Sequence, residues 1–171
     1  GFVDATSTSG IQRASHPHTG FGVALADFDH DGKLDLVMAN GHVYQLMDRP
    51  LVRPPLGDRP DPTAVRQFWQ AYADTNQLLR GDGTGRFEDV SAQTGSFAKE
   101  LAVSRGLAVG DLDGDGALDL VVVSVAGPAR VYRNEIKKKG HWLLLRVIDP
   151  ALGGRDAYGA EVSVVSETQK W

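Results

Sequence analysis

Asp27-Phe28-Asp29-His30-Asp31-Gly32-Lys33-Leu34-Asp35 and Asp111-Leu112-Asp113-Gly114-Asp115-Gly116-Ala117-Leu118-Asp119 spell one pattern twice, D-x-D-x-D-G-x-x-D. Four carboxylates in so short a segment repel one another, a cost offset where a hard cation with about six to eight oxygen ligands gathers them. Turn chemistry alone asks for one or two Asp or Asn, not four at ligand spacing. Calcium is the expected ion, one per loop. Asp27, Asp29, Asp31 and Asp35 are expected to give side-chain oxygens in the first loop, and Asp111, Asp113, Asp115 and Asp119 in the second. Lys33 and Ala117, at position seven, are expected to give backbone carbonyls, and Gly32 and Gly116 at position six permit the sharp turn. Lys33 and His30 add positive charge beside the first ion, whereas Gly114 and Ala117 add none, so the second loop is expected to bind more tightly.

The surroundings exclude an EF-hand, which needs a Glu at position twelve and flanking helices. Position twelve is Met38 in one copy and Val122 in the other. The flanks read as strands: Gly22-Val23-Ala24-Leu25-Ala26 and Leu36-Val37-Met38-Ala39 around the first loop, Gly106-Leu107-Ala108-Val109 and Leu120-Val121-Val122-Val123-Ser124-Val125 around the second. Short β-rich apolar runs bounded by Gly and Asp are the pattern of buried strands. The likeness extends outward: Phe2-Val3-Asp4-Ala5-Thr6 parallels Phe87-Glu88-Asp89-Val90-Ser91, and Gly10 parallels Gly95. Gln77-Leu78-Leu79-Arg80, Gly81-Asp82-Gly83-Thr84-Gly85 and Arg86-Phe87-Glu88-Asp89-Val90 read as strand, tight turn, strand. One unit is thus four short strands with an ion clamping the first hairpin. That is the build of a β-propeller blade, which needs neighbours to bury its faces.

Residues 1–135 closely resemble the FG-GAP/VCBS repeats of integrin-type β-propellers, on the strength of the paired D-x-D-x-D-G-x-x-D-L loops. Residues 140–171 resemble the ASPIC/UnbV domain that follows such repeats in secreted bacterial proteins. Gly140-His141-Trp142-Leu143-Leu144-Leu145-Arg146-Val147 and Gly154-Arg155-Asp156-Ala157-Tyr158-Gly159-Ala160-Glu161-Val162 carry that likeness, with Tyr158 and Glu161 departing from its apolar and basic choices. The resemblance implies an all-β chain: a partial propeller of about two four-stranded, calcium-bearing blades with an insertion at 45–75, then a small, shortened β-domain. It also implies that Gly1 follows on from a preceding blade, with more aspartate loops and a signal peptide upstream.

Composition sets the outer limits. The 171 residues contain no cysteine, so there is neither a disulfide framework nor thiol chemistry. The net charge of −4 gathers in the aspartate loops and leaves no footprint for nucleic acid. No run of sequence suits membrane insertion. Calcium sites of modest affinity fill where calcium is millimolar, so an extracellular or periplasmic location is expected.

Between Tyr44 and Asn76 the first repeat carries a segment that the second lacks. Pro50, Pro54, Pro55, Pro60 and Pro62 predict an irregular, extended first half. Asp61 as cap and Pro62 in the first turn predict a helix, with Val65, Phe68, Trp69 and Tyr72 on one face, packed on the blade or gripping a partner. Arg80-Gly81-Asp82 is read as an ordinary hairpin turn, His16-Pro17-His18 as a polar loop, Lys137-Lys138-Lys139 as a linker, and His141-Trp142 as the start of a strand with a buried indole. The function expected is a non-catalytic interaction module for a protein or polysaccharide. The alternatives are a piece of a calcium-dependent carbohydrate-active enzyme, or a structural segment that assembles with further blades. Coordination separates them, since aspartates given to calcium leave no carboxylate to act as a base. No Ser-His-Asp set, phosphate loop or Cys nucleophile supplies chemistry elsewhere.

Overall fold

The short aliphatic runs on either side of each aspartate loop fold into antiparallel hairpins. In the first, β1 (Gly20–Ala26) pairs with β2 (Asp35–Asn40); in the second, β5 (Ser104–Gly110) pairs with β6 (Asp119–Ser124). The computed structural model describes residues 1–44, 53, 61–137 and 142–165. These fall in two compact units, Gly1–His141 and Trp142–Trp171, and are mostly β.

Two sheets build the first unit. One has the order β1-β2-β3-β4, with β3 at Gln77–Gly81 and β4 at Phe87–Asp89; the other has the order β5-β6-β7, with β7 at Arg130–Tyr132. The hairpins share one register throughout. Gly20↔Asn40 recurs as Ser104↔Ser124, Leu25↔Leu36 as Val109↔Leu120 and Ala26↔Asp35 as Gly110↔Asp119, and both first strands carry an irregularity at the same place, Gly20/Gly22 and Ser104/Gly106. The likeness extends to the joints between the repeats. Asp4 Oδ1 accepts the Thr6 N–H at 2.8 Å as Asp89 Oδ1 accepts the Ser91 N–H at 2.9 Å, and Gly10 and Gly95 are both left-handed.

The second sheet shows three strands among the described residues where the first has four. After β7 the chain does not make a glycine-rich turn; Arg133 and Asn134 reach the aspartate loops instead. Phe2 and Val3 are exposed and pair with no described strand.

Burial follows the pleat. Val37 and Ala39 of β2 and Leu120 and Val122 of β6 meet between the sheets, with Phe28, Phe97, Leu78, Leu107 and Tyr132 around them. The opposite face of β2 presents Leu36 and Met38 to Leu79, Phe87 and the short helix α1 (Ile11–Ser15). Covered on both faces, β2 is buried along its whole length. The sheets meet closely because Gly22 lies against Leu107, leaving no room for a side chain.

The insertion contains helix α2 (Pro62–Gln70), with both Asp61 oxygens accepting from the Thr63 and Ala64 N–H groups. Phe68, Trp69 and Tyr72 pack ring against ring, their centroids 5.1 to 5.6 Å apart. The irregular half expected at Pro50, Pro54, Pro55 and Pro60 lies outside the described residues, as do Lys138 and Lys139. The neck of the insertion is tied by His18, whose Nδ1 lies 3.0 Å from both Asp74 oxygens, and by the buried His42, whose Nε2 is 3.6 Å from Asp74 Oδ2. The His16-Pro17-His18 segment therefore serves the fold through His18.

In the second unit β8 (Ile148–Asp149) and β9 (Arg155–Asp156) form a small hairpin around a 3-10 turn. The strand expected at His141-Trp142 is corrected: residues 142–147 form no ladder, and Trp142 is 44% exposed, while His141 lies outside the described residues. Leu143, Leu144 and Leu145 are apolar in succession rather than in alternation and all exposed, and no described strand pairs with them.

Candidate metal centre

Each aspartate loop is first a knot of hydrogen bonds to its own backbone. Asp27 accepts the N–H groups of Asp31 and Gly32 at 3.1 and 2.9 Å. Asp111 accepts those of Gly114, Asp115 and Gly116 at 2.8, 3.2 and 2.9 Å. At position five, Asp31 accepts the Lys33 N–H and Asp115 the Ala117 N–H, at 2.9 and 2.8 Å. Such bends need left-handed backbone at positions four and six. Gly32, Gly114 and Gly116 supply it at φ 83°, 75° and 88°, and His30 is forced into it at φ 57°.

Position nine does something different. Asp35 and Asp119 are each 2% exposed. Asp35 accepts the Phe28 N–H at 3.1 Å and the Gly81 N–H at 3.0 Å; Asp119 accepts the Leu112 N–H at 3.0 Å and the Asn134 N–H at 2.8 Å. Each therefore staples its loop to the third strand of its own sheet or the residues just beyond it. Burial pushes the Asp35 carboxyl above its ordinary value, against the pull of the Gly81 and Phe28 N–H groups and with added repulsion from Asp29 and Asp31.

In the first loop the structure gathers carboxylate oxygens of Asp27, Asp29 and Asp35 within 4.8 Å of one another, and in the second those of Asp111, Asp113 and Asp115. Asp31 stands outside its group, with an oxygen 3.2 Å from Lys33 Nζ. Asp119 stands outside the other, its two oxygens turned to backbone N–H groups. Lys33 and Ala117 follow their glycines at position seven. Each donor set is all carboxylate oxygen, with no nitrogen or sulfur, which fits a hard cation such as calcium and not a zinc- or copper-type ion. The charge argument that ranked the loops is corrected, because Arg133 lies 3.5 Å from Asp113 Oδ2 and gives the second loop a cation of its own.

Sequence reasoning passed over Asn134, which the fold alone brings to both loops. Its N–H serves Asp119, and its Nδ2 donates to the Phe28 carbonyl at 2.9 Å. The residue spans a cleft of about 750 Å³ between the sheets, with Phe28, Asp29 and Leu78 on one side and Leu118, Tyr132 and Arg133 on the other. Arg80-Gly81-Asp82 is spent on the hairpin, as its reading as a turn requires. Arg80 pairs with Glu88, Gly81 with Asp35, and Asp82 accepts from Thr84 and from the Arg86 N–H.

Set against known proteins, residues 19–46 match the FG-GAP repeat and residues 68–122 the FG-GAP-like repeat, so each match takes in strands of the hairpins described above. Two stretches of the chain are thus similar to FG-GAP repeats. Such repeats imply propeller-like blades, in keeping with the two stacked sheets. Over 94% of its length the chain is also similar to Cartilage acidic protein 1, at 32% identity in Xenopus tropicalis and Homo sapiens and 31% in Mus musculus. It spans 28 to 29% of the length of these relatives. No helix among the described residues is long and apolar enough to cross a membrane.

Proposed function

We propose that the chain is a calcium-stabilised, non-catalytic interaction module that works outside the cell or in the periplasm. The observation that carries this reading is the carboxylate loop built twice in one register, between strands, with its oxygens converging. Asp27, Asp29, Asp31, Asp35 and the Lys33 carbonyl would hold one ion; Asp111, Asp113, Asp115, Asp119 and the Ala117 carbonyl would hold the other. Calcium would supply charge neutralisation and fix the loop backbone, and the residues so engaged are not available as acids or bases. FG-GAP repeats and the likeness to Cartilage acidic protein 1 favour a secreted interaction module over an enzyme. In this reading residues 1–135 are the blade segment, residues 140–171 are an ASPIC/UnbV-like β-domain, and the partner is a protein or polysaccharide.

Further blades are part of the same reading. Val23 and Leu25 on the outward side of the first sheet and Val123 and Val131 on that of the second are exposed apolar side chains, the faces a blade hides against its neighbours. Calorimetry on chelator-stripped protein tests the ion assignment. Two calcium sites that magnesium fills poorly are expected, since magnesium demands a tight octahedron. Absence of calcium heat at millimolar concentration overturns it.

A further inference from the structure

Asn134 takes part in the hydrogen bonding of both loops at once. Its N–H donates to Asp119 Oδ1, at position nine of the second loop, and its Nδ2 donates to the carbonyl of Phe28, at position two of the first. The Phe28 N–H in turn donates to Asp35 Oδ2. An unbroken run of hydrogen bonds therefore leads from position nine of one loop to position nine of the other. The amide is oriented, because its Oδ1 accepts the Ile136 N–H at 3.1 Å and leaves Nδ2 facing Phe28. Packing reinforces the link: the Phe28 ring is buried with Leu120 and Val122 of β6, the strand that starts at Asp119. Leu112, the matching residue of the second loop, is 56% exposed.

We propose that Asn134 is a positioning residue that couples the two aspartate loops, so that an ion held in the first raises the affinity of the second and the reverse. This rests on the calcium reading above. An ion in the first loop fixes Asp27 and Asp29, the neighbours of Phe28, and so fixes the carbonyl that holds the Asn134 side chain. The held Asn134 keeps its N–H on Asp119, and ordering done for the first ion is not repeated for the second. The sign is diagnostic. Two cations in adjacent loops repel, so electrostatics alone would make the first ion weaken the second, whereas shared ordering makes it strengthen the second. The coupling is reciprocal by thermodynamic necessity.

The test is calcium chloride calorimetry on the full chain in four forms: unmodified, Asp29→Asn, Asn134→Ala, and the two combined. Disabling the first loop with Asp29→Asn is expected to weaken the second loop about three- to tenfold, the range of one hydrogen bond. In the Asn134→Ala background, which keeps the backbone N–H, that loss should shrink to less than half on a logarithmic scale. Unchanged or tighter binding by the second loop in Asp29→Asn overturns the coupling, and an undiminished loss in Asn134→Ala overturns the role of Asn134. Should Asn134→Ala fail to fold, Asn134→Ser and the reciprocal Asp113→Asn titration of the first loop decide the matter on the same criteria. Failure of the calcium reading itself looks different, since the unmodified chain would then give no heat in either loop.

Discussion

His30 and Gly114 hold the same place in their loops and the same left-handed backbone, but only glycine does so at no steric cost. A methyl group at Gly32 or Gly114 would touch nothing within 4 Å, so these glycines are required by conformation and not by space. Gly114→Ala is therefore expected to lower stability by about 1 kcal/mol in denaturant melts, while His30→Gly stays within about 0.5 kcal/mol of zero, strain relief being offset by the freedom glycine adds to the unfolded chain. Strain at His30, and no longer charge, then favours the second loop. The loop left intact in Asp29→Asn should bind calcium more tightly than the one left intact in Asp113→Asn. Asp35 contributes to the pH response of the calcium-free protein. Its carboxyl is held above the ordinary value of 3.8 by burial, so the stability it contributes when protonated is fully present below that value and is lost as pH rises through the raised folded value. Melts of the chelator-treated chain should show stability recovered as the pH falls through the raised Asp35 value toward 3.8, and Asp35→Asn should flatten that slope. The four-carboxylate pattern was legible in the sequence, but the division of labour within it was not. Burial decides that Asp35 and Asp119 tie strands together, and burial depends on the sheets around them.

At the level of strands and helices, the hairpins, the turn at Gly81-Asp82-Gly83 and the cap of α2 by Asp61 were all readable, because each rests on contacts a few residues apart. The third strand of each sheet was harder to place. Residues 39–76 intervene between Met38 and its partner Gln77, where residues 123–129 intervene between Val122 and Arg130. No local signal says that both connections end in the same pairing. The neck of the insertion explains how the longer one is tolerated: Asp74, His18 and His42 close it, so loop length costs only slowly growing entropy. Gly22 marks where the elements meet. A side chain there would run into Leu107 Cβ at 2.6 Å, a contact with a stem atom that no rotamer change relieves. Gly22→Ala is expected to destabilise by about 1 to 3 kcal/mol, as overpacking does. An unchanged denaturant midpoint for that variant would mean the sheets do not pack this way in solution.

For the molecule as a whole, the largest expected effect is that of calcium. An ion that binds only the folded state contributes about 1.4 kcal/mol per site when its free concentration is tenfold above the dissociation constant, so two sites contribute roughly 3 kcal/mol. That is a large share of the roughly 5 to 15 kcal/mol of a typical domain. In a chain of this size it corresponds to a melting temperature lower by about 6 to 12 °C in excess chelator. Coincident melts with calcium and with chelator would remove the aspartate loops from the stability of the fold. Under the proposed coupling the loss should also be cooperative, the two sheets loosening together rather than one after the other.

The order of residues by itself determined the repeat, the strands that flank each loop, and the gathering of carboxylates in each loop, because period-two burial and residue spacing are local and survive in one dimension. It also misled at Trp142, where apolar residues stand in a row without a described strand to pair with, and in ranking the loops by near-neighbour charge, since Arg133 reaches Asp113 from twenty positions away. Only the tertiary structure put Asn134 between Asp119 and Phe28, 106 positions from the latter. Contacts at that separation exist only once Gly22 has let the two sheets close on Phe28, and nothing in the local sequence around Asn134 records them.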